Sequence, residues 1–285
     1  MTTQADLATK NFPTWCPGCG DFTIWAAFKN AAVASGWDNN NSVLVAGIGC
    51  HGHIVNFIKM TSFEGLHGRA LPVASGIKLA NHRLNVFVFT GDGDALAEGG
   101  NHFVHACRRN HDLTIILHDN AVYGLTTGQS SPASPHGFKS ISTPDGNYEY
   151  PISPLTLAIA SGATFVARAY SGQVDKLSEI IIAANNHRGL AVIDVLQPCV
   201  TFNKEYTHQY FQSNTYYLDS GYDSTNREEA FKKSLEWGPK QIPLGVLYKV
   251  EKPTYESQIP QISQKPLVEL SPLNRNTEEL FKAYL

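Results

Sequence analysis

The stretch NVFVFTGDGDALAEGGNHFVHACRRN, residues 85–110, carries the pattern on which the fold prediction rests. Its first seven residues form a continuous apolar run, which is typical of a strand buried on both faces of a parallel sheet. The tight turn Gly91-Asp92-Gly93-Asp94 follows, and a helical pattern spans residues 95–110. The stretch therefore predicts a buried strand that a glycine turn joins to a helix.

Three further runs have the same character, SVLVAGIG (42–49), LTIILHD (113–119) and LAVIDVL (190–196). The helical patterns lie at residues 22–34, 70–80, 95–110, 153–161 and 173–187. Repeated alternation of strand and helix predicts an α/β fold with a doubly wound, mostly parallel sheet. Between the third strand and the next helix, residues 130–153 are rich in Ser, Pro and Gly and predict a long ordered loop or lid.

The character of the chain changes near residue 205, which suggests a main domain of residues 1–205 and an irregular C-terminal extension of residues 206–285. The extension is polar, aromatic and rich in proline. It contains one plausible helix (226–237) and one short strand (244–250), so we expect it to pack on the main domain or on a partner subunit.

The composition restricts the class of protein. The 285 residues include 22 Lys and Arg against 25 Asp and Glu, giving a net charge of −3, which argues against nucleic-acid or membrane-surface binding. We find no run of 18 apolar residues and no secretory signal, and so expect a cytoplasmic protein. In a reducing compartment, five cysteines indicate metal or redox use rather than disulfides.

Polar residues follow the ends of the predicted strands, where ligands of open α/β sheets bind. Asp92 and Asp94 would repel a bare diphosphate, so a divalent cation must lie between these carboxylates and the phosphate groups. Mg²⁺ prefers oxygen ligands and commonly bridges a carboxylate to a phosphate. The Asn120 side chain and the Val122 carbonyl can supply two more oxygens, and the pattern predicts a Mg²⁺–diphosphate site. The alternative is a plain strand–helix turn with acidic caps.

Four of the five cysteines point to a second site. Cys16 and Cys19 form the local pair CPGC, while Cys50 and Cys199 each follow a predicted strand at the same sheet edge. One close pair with two distant single residues suits an iron–sulfur cluster held between a loop and the sheet. Structural zinc and free thiols are the alternatives. Cys107 lies within a helical pattern and is expected to be a buried structural residue.

Together these motifs resemble the β subunit of the 2-oxoacid:ferredoxin oxidoreductases. The matching stretches are CPGCGDF, GIGCHGH, LHGRALPVASGIKLAN, GDGDALAEGGNHFVHACRRN, DNAVYGLTTGQSSP and QPCVTF, which occur in the family's order between residues 12 and 202. The LHGRALP stretch looks most like members that act on 2-oxoglutarate. The resemblance implies that residues 1–205 bind thiamine diphosphate with Mg²⁺ and one [4Fe–4S] cluster.

The same resemblance assigns residues to each group. It implies Mg²⁺ ligation by Asp92, Asn120 and the Val122 carbonyl, and cluster ligation by Cys16, Cys19, Cys50 and Cys199. It implies cofactor contacts from Ile48, Gly49, Cys50, His51, His67, Gly91, Gly93, Asp94, Gly124 and Leu125. Substrate contacts are expected from His53, Leu125 and Arg69. The implied reaction is coenzyme A-dependent oxidative decarboxylation, with single electrons passed to the cluster and then to ferredoxin.

Thiamine enzymes also need a carboxylate that helps the aminopyrimidine ionise, and neither Glu64, in a loop, nor Glu98, on a helix, is a convincing candidate. The resemblance places this residue and the coenzyme A site on an α subunit, so the chain is expected to be inactive alone and to form an αβ unit that is paired. Two other functions are left open: a non-redox thiamine decarboxylase subunit with structural zinc, and an electron-transfer module without chemistry of its own.

Overall fold

The computed structural model describes residues 2–270, 277–282 and 284 of the chain. Within them the strands are β1 (Ser42–Ala46), β2 (Ser62–Glu64), β3 (Asn85–Gly91), β4 (Thr114–Asp119), β5 (Phe165–Tyr170), β6 (Ala191–Leu196), β7 (Thr215–Tyr217) and β8 (Ile242–Lys249). The α-helices are α1 (Asp21–Ser35), α2 (Ala70–Ala80), α3 (Gly100–Arg109), α4 (Pro154–Ser161), α5 (Val174–Asn185), α6 (His208–Asn214), α7 (Arg227–Leu235) and α8 (Thr277–Lys282). None of the helices described is both long and apolar enough to cross a membrane.

The strands form one sheet in the order β2-β1-β3-β4-β6-β5-β8-β7. Strands β1 to β6 pair in parallel, whereas β8 runs antiparallel to β5. The predicted doubly wound, mostly parallel sheet is therefore confirmed. Strand β3 and helix α2 have the predicted bounds, and the outermost strands β2 and β7 are each only three residues long.

Alternate residues of each central strand fill two separate cores. In β3, Val86 and Val88 face the core beneath α2, α3 and α4, while Phe87 and Phe89 face the core beneath α1 and α5. Phe28 of α1 packs edge-on against both phenylalanines, with ring centroids 5.0 and 5.1 Å apart. Burial on both faces explains why these strands contain few polar residues.

The helix predicted over residues 95–110 is interrupted. A π-helical turn, Asp94–Glu98, comes first, and α3 begins only at Gly100. The Gly99 amide donates to the Asp94 carbonyl at 2.9 Å, and a Cβ at residue 99 would lie 2.7 Å from that oxygen. The turn accommodates an extra residue, and such turns are frequent at functional sites.

The segment after residue 205 is more regular than expected as far as Lys249. Strand β8 pairs with β5 and buries Ile242, Leu244 and Leu247, and β7 pairs with β8. The sequence analysis did not predict β5, the strand with which β8 pairs. It also expected few buried residues after residue 205, so the C-terminal segment is more closely integrated into the sheet than predicted. Between β8 and residue 270 the chain forms three short 3₁₀ turns, and helix α8 lies further on.

Candidate active site

The carboxyl ends of the parallel strands surround two neighbouring cavities. The first, which we call the acidic cavity, has a volume of about 80 Å³ and is lined by residues that follow β1, β3 and β4. It brings together Asp92, Asn120, Val122 and all ten residues expected to contact the cofactor, namely Ile48, Gly49, Cys50, His51, His67, Gly91, Gly93, Asp94, Gly124 and Leu125.

Asp92 lies at the base of the acidic cavity with 2% of its surface exposed. Burial raises the pKa of this carboxyl to about 7, although the Ser131 hydroxyl and nearby backbone groups favour its charged form. The groups that favour the negative charge of Asp92 are a hydroxyl and backbone amides, none of which carries a positive charge. A buried carboxylate of this kind fits a cation ligand, because a bound cation would compensate its charge.

The residues after β4 bring oxygen atoms towards Asp92. Ala121 adopts a left-handed conformation (φ 53°), which turns the chain so that Asn120 and Val122 both line the acidic cavity. The Asn120 side chain donates to Gln197 at 2.9 Å and accepts from the Val122 amide at 3.1 Å. Its oxygen is therefore oriented by neighbours, and the donor set of carboxylate, amide oxygen and carbonyl fits Mg²⁺.

Asp94 holds three segments together. Its carboxylate accepts hydrogen bonds from the Ile48 amide at 3.1 Å, the Gly68 amide at 2.7 Å and the Thr90 hydroxyl at 2.6 Å, and His67 Nδ1 lies 2.7 Å away. These contacts explain why β1 ends at Ala46 rather than at residue 49. The Asp94 carboxylate is thus hydrogen-bonded to other groups of the protein, and through these bonds it positions the loops that line the cavity.

His51 and His67 also line the acidic cavity, and Glu98 contacts two of the residues that line it. Burial lowers the pKa of His51 to about 4, and its Nε2 accepts the Gly91 amide proton at 3.1 Å. The Tyr123 hydroxyl donates to Glu98 at 3.2 Å, and His67 Nε2 lies 3.7 Å from the same carboxylate. Glu98 therefore lies next to the acidic cavity, a position that its predicted place on a helix did not indicate.

The second cavity, which we call the thiol cavity, has a volume of about 230 Å³ and is lined by Cys16, Cys19, Cys50 and Cys199. The sulfur atoms of Cys50 and Cys199 each lie 3.6 Å from the point where a Cβ of Gly124 would be. The Cys19 sulfur accepts a hydrogen bond from Gln197 at 3.2 Å. The loop of Cys16 and the ends of strands β1 and β6 thus line one space.

The environment of the thiol cavity disfavours free thiolates. Burial raises the pKa of Cys50 to about 12, and Asp21, Cys199 and Cys16 add to this rise. Burial and Asp21 also raise the pKa of Cys19. Buried thiols such as those of Cys19 and Cys50 fit a cationic iron centre, which binds thiolates and displaces their protons. Over the residues described, no group of three or more His, Cys, Asp or Glu side chains is arranged to hold a metal ion.

The two cavities share a wall formed by Cys50, Asn120, Gly124 and Leu125. His53 lines the thiol cavity beside this wall. Arg69, the third expected substrate residue, lines neither cavity; its guanidinium contacts His102 of α3.

Several residues of the site were not predicted. Tyr123 and Thr126 line the acidic cavity, and Ser131 donates to Asp92 from the long loop after β4. Asp21 lies beside the thiols with both carboxylate oxygens engaged, one by His118 at 2.6 Å and one by the Cys19 thiol at 3.4 Å. Tyr123 and Asp21 each lie within three residues of a predicted ligand, which is the only signal that points to them.

Comparisons with known proteins agree with this geometry. The model of the thiamine pyrophosphate enzyme C-terminal TPP binding domain matches residues 47–195, a range that includes the acidic cavity. The fold and site thus define a subunit of a thiamine pyrophosphate enzyme. The model of the C-terminal region of the pyruvate ferredoxin oxidoreductase beta subunit matches residues 199–264.

Individual relatives define the family. Subunit beta of 2-oxoacid:ferredoxin oxidoreductase 1 from Aeropyrum pernix is 46% identical over 269 residues, covering 90% of this chain and 84% of that protein. The corresponding subunit from Saccharolobus solfataricus is 48% identical over 263 residues, covering 87% and 86%. The chain belongs to the β subunits of the 2-oxoacid:ferredoxin oxidoreductases, and is therefore an oxidoreductase subunit.

A solved structure extends the likeness to the whole chain. The 2-oxoglutarate:ferredoxin oxidoreductase from Magnetococcus marinus, with 2-oxoglutarate, coenzyme A and succinyl-CoA bound, superposes with a TM-score of 0.91. It is 32% identical, and the match covers 100% of this chain and 96% of that one.

Proposed function

We propose that the chain is the β subunit of an enzyme that oxidatively decarboxylates 2-oxoglutarate in the presence of coenzyme A. In this proposal Cys16, Cys19, Cys50 and Cys199 would hold one [4Fe–4S] cluster, which would supply the one-electron acceptor between the active site and ferredoxin. The observation that carries the proposal is the wall shared by the acidic and thiol cavities, because a cofactor bound in the first and an electron acceptor bound in the second would lie in adjacent spaces.

The acidic cavity would hold Mg²⁺ through Asp92, the Asn120 side chain and the Val122 carbonyl. Only glycine fits at Gly91 and Gly93 of the turn, because a Cβ there would lie 2.8 Å from the His51 ring and 2.3 Å from the Tyr123 ring. Bound thiamine diphosphate supplies the electron sink that allows CO₂ to leave the 2-oxoacid. The chain's own contribution is to orient the cofactor and to hold the acceptor beside it.

His51 and Asp94 have supporting roles in this proposal. His51 is neutral at physiological pH because of its burial, so it adds no positive charge beside the cofactor. Its Nε2 fixes the Gly91 amide at the start of the turn, and Asp94 fixes the loops of Ile48 and His67.

The substrate assignment rests on His53 and Leu125. Leu125 is on the shared wall and 48% exposed, while His53 lines the adjacent thiol cavity, so a dicarboxylate could place its second carboxylate near an imidazole. The Magnetococcus marinus enzyme holds 2-oxoglutarate, which supports the choice of a dicarboxylic 2-oxoacid. Arg69 has no part in the proposal, because its guanidinium contacts His102 instead.

An α subunit would complete the enzyme. The relatives are named as β subunits, and the proposal assigns the carboxylate for the aminopyrimidine and the coenzyme A site to the partner. The αβ unit is proposed to pair. The chain alone should then show no decarboxylation that depends on coenzyme A.

The test is anaerobic purification of the chain with its α subunit, followed by metal analysis and turnover. We expect about four iron atoms and four sulfides per β chain, together with stoichiometric thiamine diphosphate. Ferredoxin should be reduced with 2-oxoglutarate and coenzyme A, and more slowly with pyruvate. A colourless zinc-containing complex would support the non-redox alternative and refute the proposal. Activity of the β chain alone would refute the assignment of the missing carboxylate and the coenzyme A site to the α subunit.

A further inference from the structure

A buried glutamine that the proposed function does not use lies beside the wall shared by the two cavities. Gln197 follows β6, lines the thiol cavity and is only 1% exposed. Its backbone amide donates at 2.8 Å to the carbonyl of Asp119, the last residue of β4. A Cβ at Gly20 would lie 2.8 Å from the Gln197 Cγ, so the loop that carries Cys19 packs closely on this side chain. Gln197 is therefore fixed between the sheet and that loop.

The direction of the Gln197 amide follows from a chain of hydrogen bonds that begins in the acidic cavity. The Val122 amide donates to Asn120 Oδ1 at 3.1 Å, and the Asn120 NH₂ group donates to Gln197 Oε1 at 2.9 Å. The NH₂ group of Gln197 in turn donates to the Cys19 sulfur at 3.2 Å and to the Pro198 carbonyl at 3.3 Å. A reversed Gln197 amide would set NH₂ against NH₂ and oxygen against oxygen, so its partners determine its orientation.

Gln197 thus connects a residue assigned to Mg²⁺ with a residue assigned to the cluster. By accepting from the NH₂ group of Asn120, it leaves the oxygen of that side chain to the acidic cavity. Among the side chains that the structure describes, Gln197 alone donates to a cysteine sulfur of the thiol cavity. Hydrogen bonds to the sulfur ligands are among the factors that set the reduction potential of an iron–sulfur cluster.

We propose that Gln197 is a positioning residue for both sites, orienting Asn120 for Mg²⁺ through its carbonyl and raising the reduction potential of the cluster through its donation to Cys19. The inference rests on the proposed function. The cluster takes up one electron, from [4Fe–4S]²⁺ to [4Fe–4S]⁺, and a donor to a ligand sulfur stabilises the more negative, reduced form. Loss of the amide should therefore change the cofactor affinity and the cluster potential together.

The first test is Gln197→Met in the purified complex, because methionine has a similar length and no amide. In a redox titration with dithionite followed by EPR, the midpoint potential should fall. We expect a three- to tenfold change in the reduction equilibrium, which is about 28–59 mV at 59 mV per tenfold change for one electron. In a fluorescence titration with Mg²⁺ and thiamine diphosphate, affinity should fall at least about tenfold, as for other outer-shell partners.

Two controls separate this double effect from general damage. Ser131→Ala removes the donor to Asp92 from a residue that does not line the thiol cavity, so it should weaken cofactor binding and leave the potential unchanged. Gln209→Met, at an exposed glutamine of α6, should change neither quantity. A wild-type potential or a wild-type cofactor affinity in Gln197→Met overturns the inference.

A second test uses the wild-type residue and does not depend on how a variant folds. In protein whose glutamines carry ¹⁵N in the side-chain amide, pulsed EPR of the reduced cluster should show a ¹⁵N coupling, since the Gln197 nitrogen lies 3.2 Å from the Cys19 sulfur. A cluster signal without this coupling overturns the inference and leaves the proposed function intact. A wild-type complex without any cluster signal refutes the proposed function, and the inference with it.

Discussion

Replacement of Asp92 by asparagine tests the acidic cavity most directly, because it removes a charge and almost no volume. Burial raises the pKa of this carboxyl from its ordinary 3.8 to about 7. Since the unfolded chain gives up this proton at lower pH than the folded one, stability is lost as pH rises from about 4 to about 7. At pH 8 the charged form destabilises the Mg²⁺-free fold by about 4 kcal/mol, taking 1.36 kcal/mol per pKa unit.

We therefore expect Asp92→Asn to stabilise the Mg²⁺-free protein while disabling it. In EDTA at pH 8, the β-subunit transition in a calorimetric scan should move up by about 5–10 °C, and the difference should shrink towards pH 4. With Mg²⁺ present, affinity for thiamine diphosphate should fall by more than the roughly 10–100-fold that loss of an outer-shell partner costs. Fluorescence titration with the cofactor measures this loss.

The matched control is the same substitution two residues away. Asp94 accepts hydrogen bonds from three protein donors, so an amide at residue 94 would place a donor against donors and lower the melting temperature. Cofactor binding by Asp92→Asn at wild-type affinity would refute its assignment as a Mg²⁺ ligand. A lower melting temperature of Asp92→Asn at pH 8 would refute the burial argument.

Three further predictions concern the cavities and the substrate. Cys50→Ser should remove most of the iron and the visible absorbance of the complex, whereas Cys107→Ser, on the buried face of α3, should leave the iron content unchanged. His53→Leu should raise KM for 2-oxoglutarate about tenfold, as expected for loss of a charged hydrogen bond, while KM for pyruvate changes little; parallel increases would remove His53 from the substrate site. Gly93→Ala should weaken thiamine diphosphate binding because the new methyl group would overlap an aromatic ring, whereas Gly100→Ala meets nothing within 4 Å and should bind normally in the same titration.

The strands that the sequence predicts well are those with uninterrupted apolar runs, as in β3 and β4. Strand β5, FVARAY, was missed because Arg168 breaks its run, and the arginine is tolerated only because Asp194 of the neighbouring strand pairs with it at 3.0 Å. The partner lies 26 residues away in sequence. No local pattern therefore distinguishes this buried arginine from a surface one.

The candidate site was predictable where ligands follow strand ends, since the parallel sheet brings those ends together. Asp92, Asn120, Cys50 and Cys199 meet that condition, whereas Cys16 and Cys19 lie in a loop before α1 and were found through their CPGC spacing. Ser131 reaches Asp92 only because a long loop folds back, and its position depends on contacts such as that of Ser134 with the Ala121 carbonyl at 2.6 Å. Interactions of this kind arise from tertiary packing and leave no periodic signal in the sequence.

The two three-residue strands that bound the sheet have a consequence for solubility. An edge strand offers unpaired backbone groups to other chains, and a short edge offers few. Removal of residues 206–285 would delete β7 and β8 and expose the edge of β5 that β8 covers from Phe165 to Arg168, in a strand whose six residues are all buried. A chain shortened to residues 1–205 should accordingly self-associate. In the intact chain, β7 and β8 would prevent this aggregation by covering the edge of β5.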